Sequence, residues 1–254
     1  MEWLLALLLL GILGVLLTSP TLGDPLVQTS RGRLCDYSAA GGVFEPLSDV
    51  LARKSRLYEV HVYSDEQDQP VVATHAQNDG YDYAEANVSF ESVCVDLVND
   101  AFPSKDPFVL SIVLHSDKTI IANRVAEHLM TTLRRHLLPG GSEVSRAPLD
   151  SLANRLILVS GGTVRGTDLE RLVTLDWNTS SLRRLSWHEA AHPRDASELQ
   201  AFAKDHLVMV APHPELRMAH ANPDRPQALG CQWNLFDRSG GGFVDRRGKT
   251  LLPQ

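Results

Sequence analysis

The chain has 254 residues, 43% of them hydrophobic, and a formal net charge of −7. That acidic balance argues against a nucleic-acid partner. No basic block marks an anionic surface, and the pairs Arg134-Arg135 and Arg183-Arg184 stand alone and read as solvated faces. Neither repeats nor low-complexity tracts are present.

Trp3 to Leu17 is almost wholly apolar, Ser19-Pro20 breaks any helix, and Thr21-Leu22-Gly23 supplies small residues before a cut at Asp24. An apolar run of roughly 15 residues is short of the ~20 that span a bilayer as a helix. Residues 1–23 are therefore expected to be a cleaved signal peptide, with an uncleaved membrane anchor as the alternative, and Glu2 stands where Lys or Arg is usual. Residues 24–254 are expected to be one domain, secreted or in the lumen of the secretory pathway, with no transmembrane segment. Two glycosylation sequons agree with export, Asn87-Val88-Ser89 and Asn178-Thr179-Ser180. The three cysteines, Cys35, Cys94 and Cys231, allow at most one internal disulfide and fit no metal knuckle; at least one reads as a buried small hydrophobe.

Asp24 to Arg33 reads as an extended lead-in, and Phe44 to Ser55 has helical spacing through Phe44, Leu47, Val50 and Leu51. Tyr58 to Ser64 alternates with period two and predicts a strand; a polar turn over Asp65 to Gln69 leads to a second strand, Pro70 to His75. Phe90 to Ala101 is helical by spacing. Phe108 to His115 is a near-continuous apolar run, as in a strand buried on both faces. Ile120 to Leu138 predicts the best helix, stopped by Pro139-Gly140-Gly141. Further strands are expected at Arg155–Ser160, Leu172–Trp177, Leu207–Ala211 and Leu229–Phe236, with a short helix over Ser197–His206. Strands alternating with helices point to an α/β fold with a mostly parallel sheet. A single (β/α)8 barrel of the TIM type fits this length best, with a doubly wound open sheet as the alternative.

In such a barrel, chemistry sits at the C-terminal ends of strands. Glu59, His61 and Tyr63 share one face of their strand. His75, His115 and His213 fall at strand ends, and Gln232 and Asn234 lie on the last strand. A Glu and a His two apart can share a metal, and a strand-end His can act as acid or base.

These segments resemble the X region of phosphatidylinositol-specific phospholipase C. Glu59-Val60-His61-Val62-Tyr63, a turn and Pro70-Val71-Val72-Ala73-Thr74-His75 look like its early strand pair. Phe108–His115 and Leu152–Gly161 are similar to later strands, and Asn222-Pro223 followed by Gly230-Cys231-Gln232 to its NP…GCQ segment. The resemblance implies a phosphodiesterase of lipid headgroups that uses two histidines, with Ca²⁺ held by carboxylates and an Asn. It matches Glu59 to a Ca²⁺ carboxylate, His115 to a strand histidine and, with a one-residue insertion, His75 to the second catalytic histidine. His61 stands where a second carboxylate belongs and Val113 where a third does. Asp36 to Val43 replaces the stretch that carries the first histidine, and Val159 and Gly161 replace the substrate lysines. Without the first histidine and most of the metal charge, the family's reaction should fall to near background.

Two readings follow. The site is rebuilt with other residues, His61, His115 and His213, with His75 as the general acid or base, or the chain is a noncatalytic secreted relative that binds a ligand or protein through the barrel mouth. The related glycerophosphodiesterase pattern lacks its opening His-Arg-Gly here. His188-Glu189-Ala190-Ala191-His192 has the zinc-protease spacing H-E-x-x-H, but Pro193 ends any helix that would carry both histidines.

Overall fold

The computed structural model describes residues 32–73, 87–177, 181–211, 222–237 and 240–246. The chain divides into Met1–Ser30 and Arg31–Gln254. The first unit, with most of the expected signal peptide and lead-in, lies outside the described residues, as do Thr74, His75, Asn178 and His213.

In chain order the elements are β1 (Tyr37–Val43), α1 (Leu47–Ala52), β2 (Leu57–Ser64), β3 (Pro70–Ala73), β4 (Asn87–Ser89), α2 (Phe90–Asp100), β5 (Phe108–Leu114) and α3 (Thr119–Thr132). They continue with β6 (Leu156–Ser160), β7 (Leu175–Asp176), β8 (Leu182–Ser186), α4 (Trp187–Ala191), α5 (Ala196–Ala203), β9 (Leu207–Ala211), α6 (Asp224–Ala228), β10 (Trp233–Asn234) and β11 (Val244–Asp245). Eight strands pair in the order β7-β6-β5-β2-β1-β10-β9-β8. Every ladder among them is parallel. Each strand therefore lies beside its chain neighbour around a ring, which is the expected TIM-type barrel. Among the described residues no ladder joins β7 to β8, so the ring is nearly closed, with a seam there. The β3–β4 hairpin extends antiparallel from β2.

The ring forms because alternate residues of each strand serve two cores. Leu57, Val109, Ile157, Val159, Leu207, Met209 and Trp233 fill the interior. Tyr58, Val60, Val62, Leu110, Ile112 and Leu158 pack outward on Phe90, Leu97, Ile121, Val125 and Leu129 of α2 and α3. Strands buried on both faces need apolar residues at every position, which is why β5 and β6 read as unbroken runs. A smaller cluster seats α4 and α5 on β9 through Ala190, Leu199, Ala203, Val208 and Val210.

Several sequence expectations change. Tyr37–Val43, matched only to the stretch that carries the missing histidine and given no strand, is β1. Its small residues are required by close approach: a Cβ on Gly41 would lie 2.8 Å from Leu57 Cγ, and one on Gly42 2.1 Å from Glu45 Oε1. The first helix is shorter than Phe44–Ser55, because Phe44 has a φ of 53° and Pro46 is the N-cap. Leu182–Ser186, read as solvated because of its arginines, is β8. The strand expected over Leu229–Phe236 shrinks to Trp233–Asn234, preceded by Gly230 at a φ of 98°. All three cysteines are buried and unpaired, and burial pushes the Cys94 and Cys231 thiols up to about 12.

Gln232 ties β9 to α5 and to the chain before β1 inside the wall. Its fully buried amide nitrogen donates to Ala203 O at 2.7 Å and His206 O at 2.9 Å, and its Oε1 accepts from Val208 N at 2.7 Å. Leucine is close in volume but leaves these buried groups unpaired. Gln232→Leu is expected to lower stability by about 3 kcal/mol, seen as a reduced urea midpoint at unchanged m-value. A loss below about 0.5 kcal/mol would show the contacts to be incidental.

Candidate functional site

The site stands on the inward face of β2. Because successive side chains alternate, Leu57 packs in the barrel core and Glu59, His61 and Tyr63 follow it toward the C-terminal mouth. Parallel pairing sets Glu59 beside Ser111 of β5 and His61 beside Val113. The chain leaving β5 puts His115 above them, its amide held by Val62 O at 2.8 Å. From β8, Arg184 reaches across the barrel to the same carboxylate.

Glu59 is 1% exposed and is saturated by these neighbours. Arg184 donates from Nη2 to Oε1 at 2.7 Å and from Nε to Oε2 at 3.2 Å, a two-point clasp. Ser111 Oγ donates to Oε2 at 2.9 Å. His61 Nε2 lies 3.3 Å from Oε1, and His61 Nδ1 lies 2.8 Å from His115 Nε2. The contacts form a series: arginine, carboxylate, imidazole, imidazole. Aromatic rings wall it in. Phe44 lies 4.3 Å from the His61 ring, Tyr63 stacks on His115 at 4.4 Å, and the Arg184 guanidinium sits 5.2 Å from the Trp177 centroid. Trp177 in turn covers Gly161, where a Cβ would come within 2.1 Å of its Nε1. The unpaired seam between β7 and β8 is thus bridged by side chains, Trp177 from one side and Arg184 from the other.

Burial alone would raise the Glu59 pKa. The Arg184 charge, aided by the His61 contact, overrides it and holds the carboxyl down at about 2. His115 is pushed down to about 4, first by burial of its inner side and then by the neighbouring His61. Its outer side is exposed, and water there tempers the effect.

The structure therefore brings together three of the expected residues, Glu59, His61 and His115. His75, expected as catalytic, and Asn178, expected as a glycan site, lie outside the described residues. Asn87 is exposed on β4. The sequence reading missed Arg184, Ser111, Phe44 and Trp177. For Arg184 a signal existed: Leu182, Arg184 and Ser186 share a period-two face, and a lone cation on the inward face of a strand needs an acidic partner. Of the H-E-x-x-H run only His188 to Ala191 lie on α4; His192 is its C-cap with non-helical backbone (φ −133°, ψ 57°), as expected before Pro193, and Glu189 is committed elsewhere: Oε2 accepts from Ser186 N at 2.8 Å as a capping box.

Calcium takes six to eight oxygen ligands. Around Glu59 the described residues offer one carboxylate, and both of its oxygens already accept hydrogen bonds. No group of three or more His, Cys, Asp or Glu suited to a metal is assembled among the described residues. These residues do not fit a calcium site, because Arg184 fills the electrostatic role that a cation would have beside Glu59.

Both pKa shifts destabilise the fold in acid. Glu59 at about 2 lies below its ordinary 4.5, so the stability it confers is complete above 4.5 and is lost as pH falls toward 2. His115 at about 4 lies below its ordinary 6.5, so between 6.5 and 4 the unfolded chain takes up a proton that the folded one refuses. The melting temperature is expected to fall steadily from pH 6.5 to 4, and His115→Gln to flatten that part of the profile. An equally steep profile in the variant would remove His115 as the cause.

No family model and no curated protein matches the sequence. Solved structures do. PLC21 of S. officinalis superposes with a TM-score of 0.63 at 12% identity, over 80% of this chain and 33% of that one. This chain therefore spans about a third of that protein. The Ca²⁺-dependent phosphatidylinositol-specific phospholipase C of Streptomyces antibioticus gives 0.52 at 12% identity, over 80% and 94% of the two chains. The calcium-dependent phosphoinositol-specific phospholipase C of a Pseudomonas species, described in apo form and as a myo-inositol complex, gives 0.53 at 11%, over 87% and 93%. Among the described residues no helix is long and apolar enough to cross a membrane. The chain has the barrel fold of the phosphatidylinositol-specific phospholipases C, at a sequence distance where fold is what the two share.

Proposed function

We propose that this chain is a secreted phospholipase C-like barrel that recognises a lipid phosphodiester, or its phosphorylated headgroup, at the mouth without cleaving it by the metal-assisted route. One observation carries the reading. Arg184, Ser111 and His61 occupy both oxygens of Glu59, so this carboxylate is neither a metal ligand nor a base. Phosphodiester cleavage also needs two proton-transfer groups, one at the attacking oxygen and one at the leaving oxygen. His61 and His115, 2.8 Å apart, share one hydrogen bond and act as a single group on one side. What the mouth retains is recognition: the Arg184 side chain, 22% accessible, beside the neutral His115 imidazole, with aromatic rings to flank a sugar or cyclitol.

A second reading is a metal-independent phosphodiesterase. The carboxylate–imidazole–imidazole series favours it, because Glu59 orients His61 and His61 orients His115, as a base is oriented in hydrolases. His75, following β3, would then supply the second group.

Purified mature protein is expected to bind glycerophosphoinositol by calorimetry and to show no turnover of phosphatidylinositol or a chromogenic phosphodiester, with or without Ca²⁺. Arg184→Lys keeps the charge but loses the two-point fork, and is expected to weaken binding about tenfold, which is about 1.4 kcal/mol. Turnover that disappears in His75→Ala would overturn the noncatalytic reading in favour of the second. Absence of both binding and turnover would sink both readings. Export has its own test: the secreted chain should begin at Asp24, and its glycosidase-sensitive mobility shift should vanish when Asn87 and Asn178 are both changed to Gln.

A further inference from the structure

His188 on α4 and His192 at its C-terminal end lie outside the mouth cluster, and the position of the helix is fixed by three contacts. Ser186 caps it through Glu189 N at 3.3 Å, Trp187 Nε1 donates to Asn222 O at 2.8 Å, and Ala190 and Ala191 are buried beneath it. The His192 amide donates to His188 O at 2.9 Å, which closes the turn, and His192 turns off the helix end with its ring tilted 44° to that of His188. Both imidazoles are exposed. Neither ring makes a hydrogen bond or ion pair among the described residues, and their only ring contacts are with each other and with the edge of Trp187. Their centroids are 5.1 Å apart. A cation about 2.1 Å from one nitrogen of each ring, at a near-tetrahedral angle, sets the ring centres roughly 5 Å apart.

We propose that His188 and His192 form a two-imidazole site for a borderline divalent cation, completed by water. Imidazole nitrogen suits copper, nickel and zinc, and copper(II) binds most tightly in that series. Calcium and magnesium prefer oxygen ligands and are excluded by the same chemistry. Glu189 does not complete a protease centre, because its carboxylate is held by the Ser186 amide and hydroxyl. The site is therefore a binding site with no water-activating base. Because the helix is anchored on both sides, the backbone that carries the pair is held before a cation binds, and only the two side chains need to order.

The test is calorimetry and copper(II) electron paramagnetic resonance on the mature protein, titrated with CuCl₂ or ZnCl₂ alone. One copper per chain is expected, with nitrogen hyperfine structure and tighter binding than zinc. His188→Ala and His192→Ala should each weaken it roughly tenfold or more. Both side chains are exposed, so folding should survive, as circular dichroism would show. His115→Gln should leave copper binding unchanged. No saturable binding, or binding that survives both histidine variants and falls in His115→Gln, would overturn the proposal and move the metal to the mouth.

Discussion

A carboxylate sealed inside an apolar barrel must bring its counter-charge with it, and the organisation of the mouth follows from that constraint. Glu59 is enclosed on β2, where an unpaired charge is prohibitive. Its partner cannot come from β2, whose inward neighbours are Leu57, His61 and Tyr63. It comes from β8, on the far side of the ring, and the length of an arginine spans the gap. Two hydrogen bonds from Arg184 then hold together strands that three intervening strands separate in the sheet. The same side chain lies against Trp177 at the seam where the backbone ladder stops. One guanidinium thereby neutralises the buried charge and ties β8 to the rest of the barrel where backbone pairing does not.

That arrangement decides what chemistry remains. A buried ion pair is weak evidence for stability, since apolar residues of the same shape often do as well; its effect here is on availability. Glu59 at a pKa of about 2 takes no proton near neutrality, and its oxygens are taken. The imidazoles beyond it are aligned but joined. What lines the mouth is then a guanidinium already paired with Glu59, two joined imidazoles and flat aromatic surfaces.

The segments that resembled phospholipase C most closely turn out to be architectural. In Gly230-Cys231-Gln232, Gln232 joins β9, α5 and the chain before β1 through its amide, and Cys231 packs under α5. The conspicuous H-E-x-x-H motif is a capped helical turn whose acidic residue serves the backbone. Motif spacing describes which residues are near in sequence, whereas the role of each is set by which hydrogen-bond partners reach it first.

Sequence by itself determined the class of fold and the inward face of β2, because period-two and helical-period patterns report burial directly. It placed β2, β3, β5, β6 and β9 and the helices α2 and α3, and it put Glu59 and His61 on one face of β2 and His115 at a strand end. It did not find β1 or β8. Ala39-Ala40-Gly41-Gly42 is small because Leu57 and Glu45 crowd it, a reason that exists only once the strands are packed. Arg183 and Arg184 look alike in a row, yet Arg183 faces out to Glu198 and Arg184 faces in to Glu59. Only the tertiary structure decides that difference, because the partner of Arg184 lies 125 residues away and a buried charge is explained by its partner.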